Sequence, residues 1–139
     1  MSQVAGYVMR IKDEQWVNQV FDTAIYFSNM NRKWLNGQTI LFVHRTKIGD
    51  AFVGYGVVSR EIQKRWLPEE EKVLCEQGGW KRAIEFTYVM RFEKPLLIKE
   101  TVFGASKLRG RYFHGLKLVS EQLDKVIGQA EGIRDHQKS

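Results

Sequence analysis

The stretch GQTILFVHRTKIGDAFVGYGVVSR, from Gly37 to Arg60, decides the fold, because it reads as two strands joined by a short turn. Thr39 to Arg45 is apolar until His44, after which Arg45, Thr46 and Lys47 make its end polar and basic. Ile48-Gly49-Asp50 supplies the turn, since glycine reaches backbone conformations that other residues avoid. Phe52 to Ser59 is the return strand, with Val53, Tyr55 and Val57 on one face and Gly54 and Gly56 on the other. Two glycines on one face weaken a strand unless another element lies close against its backbone. A hydrophobic hairpin with a polar, basic tip suits the centre of a small β-barrel with its site at the rim.

Before the hairpin, Val4 to Ile11 reads as a strand in which Tyr7 and Met9 share one face and Val8 and Arg10 the other. Asp13 is placed to cap a helix from Glu14 to Asp22, whose stripe of Trp16, Val17, Val20 and Phe21 plugs against the barrel. This spacing makes Trp16 a core residue. Ala24 to Phe27 is a short apolar segment, followed by a donor- and acceptor-rich loop from Ser28 to Lys33 that Trp34 closes.

After the hairpin, Glu61 to Trp66 continues the return strand or bends away from it. Pro68 with Glu69, Glu70 and Glu71 starts a short surface helix that carries a half-buried Cys75 and stops at Gly78-Gly79. Ala83 to Phe92 is a long strand, broken by Lys94-Pro95 before a short one from Leu96 to Ile98. Leu116 to Val119 is the last strand, and Ser120 caps a helix with Leu123, Val126, Ile127 and Ala130 on one face. Residues 1–130 make one domain, and 131–139 are a polar tail.

The chain has 139 residues, 43% hydrophobic and 27% charged, the composition of a soluble globular protein. No apolar run approaches the roughly 20 residues of a membrane span, and the start lacks a secretory pattern, so the default location is cytoplasmic with no membrane partner. The net charge of +6 favours polyanions. One cysteine excludes an internal disulfide, and His44, His114 and His136 lack metal-ligand spacing. No phosphate-loop or dinucleotide motif is present, and the sequence calls for no cofactor or metal.

Two groups of residues carry the functional reading. Ser28, Asn29, Asn31, Trp34, His44, Arg45 and Thr46 combine amides, hydroxyls and an aromatic ring beside barrel elements, the groups that read and stack on bases. From Thr101 to Ser120 there is no acid, while Lys107, Arg109, Arg111 and Lys117 surround Tyr112 and Phe113, which suits phosphate neutralisation with stacking.

The order of elements resembles the PUA-like superfamily, and within it the EVE branch, related to YTH and ASCH domains. YVMRIK, from Tyr7 to Lys12, is similar to that branch's first strand, with Val8 where tryptophan is usual. GQTILFVHRT is similar to its glycine-led strand with a histidine tip, and FVGYGVVSR to the return strand. VMRFEKPLLI resembles the later strand ending in lysine-proline, and GLKLVSEQLDKVI the closing strand and helix. The resemblance implies an α+β, mainly β fold: a PUA-like small mixed β-barrel flanked by short helices. It also implies a pocket for a single, often modified, base of RNA or DNA, with Lys12 joining His44, Arg45 and Thr46 there. Two alternatives remain open. One is an ASCH-like amidohydrolase acting on a modified nucleoside, using Lys12 or Lys47 with Glu85; the other is a protein-interaction domain.

Overall fold

A computed structural model describes residues 4–29, 34–104 and 114–138. The elements in chain order are β1 (Gly6–Arg10), α1 (Glu14–Thr23), β2 (Ile25–Ser28), β3 (Thr39–Thr46), β4 (Gly49–Gln63), α2 (Glu69–Gln77), β5 (Arg82–Leu97), β6 (Lys117–Leu118) and α3 (Ser120–Lys138). Short 3-10 turns lie at Lys64–Trp66 and Ile98–Glu100. The strands form one six-stranded sheet in the order β2-β5-β4-β3-β1-β6. β1 runs parallel to β3, and the other pairings are antiparallel. The fold is α+β and mainly β, as the sequence implies.

The expected barrel does not close. Closure needs the outermost strands to pair, and here they are β2 and β6, of four and two residues, at opposite edges. Helices cover the faces instead. Alternation along β1 and β3 sends Tyr7, Met9, Ile40 and Phe42 to one face, where Val17 and Val20 of α1 meet them. Val8, Leu41 and Val43 go to the other face, against Leu123 and Val126 of α3. A third cluster of Phe27, Leu67, Cys75 and Ala83 fixes α2 to one end of the sheet.

The hairpin pairs Thr46 with Gly49, so the turn is Lys47-Ile48. The Thr46 hydroxyl fastens it, donating to the Gly49 carbonyl at 2.7 Å and accepting from the Ile48 N–H at 3.3 Å. Both readings of the segment after Ser59 are met in turn: β4 continues to Gln63, and the 3-10 turn at Lys64–Trp66 then bends the chain away. Val53 does not share a face with Tyr55. Pairing jumps from Phe52–Leu96 to Gly54–Arg91, so the lone Val53 faces a bulge of Phe92 to Pro95, and it packs on the α1 side while Tyr55 packs on the α3 side. That bulge also explains why Lys94-Pro95 does not end β5. A proline in a bulge forfeits no ladder hydrogen bond, and the strand resumes at Leu96.

Two smaller expectations are corrected by hydrogen bonds. Asp13 takes the extended backbone of an N-cap, but its side chain makes no capping hydrogen bond. Ser120 opens α3 rather than capping it; the preceding Val119 donates its N–H to Gln122 Oε1 at 3.0 Å. α3 runs through Lys138. Among the described residues, no helix is long and apolar enough to cross a membrane.

Candidate functional site

α1 and β2 are consecutive in the chain, and the sharp turn at Ala24 sets the helix against the strand. Trp16 and Gln19 on α1 thereby come beside Tyr26 and Phe27 on β2. Arg10 at the end of β1, Ile11, Lys12 and Asp13 after it, and Trp80 before β5 complete a cavity of about 260 Å³. This is just below the usual range for drug-sized ligands, which suits a smaller occupant.

One wall is aromatic. Trp16 meets Trp80 edge to face with ring centroids 4.5 Å apart, and Phe27 stacks on Trp80 at 5.6 Å. Backbone and side-chain bonds hold Trp80 in place. Its N–H donates to the Cys75 carbonyl at 3.0 Å, and its carbonyl accepts from the Cys75 thiol at 3.3 Å. Cys75 is fully buried rather than half-buried, and burial pushes its thiol pKa up, which disfavours the thiolate.

Another part of the lining is polar and incompletely satisfied. Gln19 donates Nε2–H to Thr23 Oγ1 at 2.9 Å, while that hydroxyl donates its own hydrogen to the Gln19 carbonyl at 2.8 Å. The hydroxyl therefore has only acceptor capacity left for Gln19, which fixes the amide orientation. It leaves Gln19 Oε1 buried without a hydrogen-bond partner. Tyr26 is also buried, and burial alone raises its pKa to about 12.

Tyr26 gives an alkaline signature. A phenol with an ordinary pKa of 10 unfolded and about 12 folded binds its proton more tightly in the folded state. Its contribution is intact below pH 10 and is lost as pH rises through about 12. At pH 11 the loss amounts to about 1.4 kcal/mol. Denaturant titrations at pH 8 and 11 should show this extra loss in the wild type relative to Tyr26→Phe; an identical pH dependence in both would mean the phenol is not held protonated.

Comparison with known proteins gives a fold-level likeness. No family model matches the sequence, and no curated protein matches it significantly. The crystal structure of an ASCH protein from Zymomonas mobilis superposes with a TM-score of 0.65 at 9% identity, covering 91% of this chain and 96% of that one. A point variant of that protein gives 0.60 at 8% identity, covering 89% and 97%. The chain shares the fold of these ASCH structures. The likeness is one of fold, and it is to ASCH structures rather than specifically to the EVE branch.

Within this ASCH fold the residues singled out from the sequence are dispersed. Lys12 lines the cavity. His44 lies behind it, donating from Nδ1 to the carbonyl of the cavity residue Ile11 at 2.9 Å. Asn29 supports the aromatic wall from behind: its Nδ2–H donates to the Gly79 carbonyl at 3.1 Å, and its Oδ1 accepts from the Lys81 N–H at 2.8 Å. Ser28 is buried at the end of β2, opposite Arg82. Trp34 is buried in the core, edge-on to Tyr7 at 5.1 Å, with its Nε1–H lacking a hydrogen-bond partner. Arg45, Thr46 and Lys47 occupy the hairpin tip and do not line the cavity. Glu85 pairs with Arg60 at 3.3 Å and is not a lining residue either, so the expected Lys12 or Lys47 with Glu85 set is not assembled in the cavity. Lys117 is exposed on β6, while Asn31, Lys107, Arg109 and Arg111 lie outside the described residues.

Arg10, Asp13, Trp16, Gln19, Tyr26, Phe27 and Trp80 were missed as cavity residues. Helical spacing made Trp16 indistinguishable from core. Trp80, isolated after Gly78-Gly79 and outside any apolar pattern, was the available signal.

Proposed function

We propose that this protein is a nucleic-acid-binding module, for RNA or DNA, that accommodates one unpaired or flipped base in the cavity between α1, β2 and Trp80. The observation that carries this reading is a cavity lined by the aromatic rings of Trp16, Phe27 and Trp80 together with Gln19, whose Oε1 has no protein partner. Aromatic faces accept any base, and an amide oxygen selects an edge that presents an N–H donor. Arg10 and Lys12 provide cations at the same site, although Arg10 is already near Asp50, at 3.6 Å. The net charge of +6 favours the polyanionic ligand.

A base held in this way must leave a duplex, which costs a few kcal/mol of unpairing and unstacking. Titration should therefore show single strands quenching tryptophan fluorescence and binding at least about tenfold more tightly than the same sequence hybridised to its complement. Equal affinity for single strand and duplex would overturn the captured-base reading. Failure of both to bind would overturn the nucleic-acid reading altogether.

A further inference from the structure

A second concavity lies between the end of β4, the 3-10 turn at Lys64–Trp66, α2 and the start of β5. It is open, with a volume of about 580 Å³, and its lining contains the cations Lys64, Arg65, Lys72, Lys81 and Arg82 against one carboxylate, Glu61. Two cations have acidic partners: Arg82 meets Glu61 at 3.0 Å and Lys64 meets Glu76 at 3.6 Å. No described residue forms an ion pair with Arg65, Lys72 or Lys81.

An exposed ring adjoins these charges. Trp66 is 71% exposed, with the Arg65 guanidinium 5.3 Å from its ring centroid. Removing so large an apolar ring from water is favourable, yet the fold leaves it outside. Trp66 lines an adjoining shallow depression that shares Glu61, Gln63 and Arg65 with the groove. Cations that can neutralise phosphates, continuous with an exposed aromatic platform, are the combination that binds single strands without reading their sequence.

The groove and the cavity meet at one stretch of backbone. Trp80 lines the cavity and the next residue, Lys81, lines the groove. Asn29 fixes both positions by bonding Gly79 and Lys81. We propose that this groove is the phosphate track of a single-stranded nucleic acid whose captured base sits in the cavity, and that Trp66 stacks on a base flanking the captured one. The inference rests on the captured-base reading for the strand's anchor. It adds a surface, separate from the acid-free segment, that sequence reasoning did not identify.

The test uses a twelve-nucleotide labelled single strand, the corresponding mononucleotides and heparin as probes of the full chain. If Lys72 and Lys81 each contact a phosphate, Lys72→Ala with Lys81→Ala should flatten the slope of log affinity against log salt by about 1.4 for the oligonucleotide. Mononucleotide binding should be unchanged. Trp66→Ala should weaken oligonucleotide binding roughly 5- to 150-fold while leaving heparin, which has no bases, unaffected. Wild-type oligonucleotide affinity and salt slope in both variants, with melting temperatures preserved, would overturn the track. Equal loss of heparin and oligonucleotide in Trp66→Ala would overturn the stacking role. Loss of base capture is distinguished by mononucleotides failing to bind the wild type while the groove variants still change oligonucleotide binding.

Discussion

Gly54→Val should lower stability by about 3 kcal/mol and the melting temperature by roughly 10 °C, with no change in fold class at low temperature. The reason is the absence of room for even one carbon. A Cβ at Gly54 would lie 2.3 Å from the Met90 carbonyl oxygen and 2.5 Å from the Phe21 ring. The first obstacle is backbone of the neighbouring β5, which cannot rotate away. The second is held by α1, where Phe21 also meets Phe42 edge to face at 5.6 Å. Gly56 is less constrained, since its nearest neighbours are atoms of the Phe86 ring, the closest at 2.7 Å. The close approach expected from paired glycines is therefore present at both positions, but only at Gly54 does the helix supply part of it. A valine variant melting at the wild-type temperature would show that β4 can shift relative to β5.

Trp80→Ala should weaken capture of a single base by about 1–3 kcal/mol, the usual worth of base–aromatic stacking. Its effect on stability is separate. Trp80 is half-buried and stacks on Phe27, so truncation also removes packing from the cluster that holds α2. Binding must therefore be measured well below the variant's melting temperature, with far-UV circular dichroism confirming the fold. Asn29→Ala supplies the companion measurement. Asn29 acts behind the ring through the Gly79 and Lys81 backbone, so its loss should reproduce part of the binding defect without removing any stacking surface. Unchanged base affinity in a folded Trp80→Ala protein would reduce the aromatic wall to ordinary packing.

These residues also show where the sequence was informative. The central hairpin, the alternation of Tyr7, Val8 and Met9, and the Val17 and Val20 stripe were legible because their periodicity is local. The placement of Trp34 was not legible, because a polar loop beside a tryptophan says nothing of whether the ring turns inward; here it lies against Tyr7 in the core. The cavity was hidden for a different reason. Its wall depends on Asn29 reaching Gly79 and Lys81, and its polar side on a Gln19 amide whose orientation is decided by Thr23. The basic groove was obscured by Glu69, Glu70 and Glu71, which dilute the charge along the sequence although none of them lines it.

The bulge of β5 has a consequence beyond accommodating a proline. β2 covers β5 only from Arg82 to Glu85, and no described strand pairs with its outer side farther along. A long uncovered row of backbone amides and carbonyls is a template on which another chain can add a strand. Tyr88 and Met90, 49% and 43% exposed, would strengthen such an addition. The irregularity from Phe92 to Pro95 interrupts that row, Pro95 offers no amide hydrogen, and Arg91 and Lys94 place charge along it. The same feature that misdirects a reading of the sequence therefore acts as a guard against self-association through the sheet.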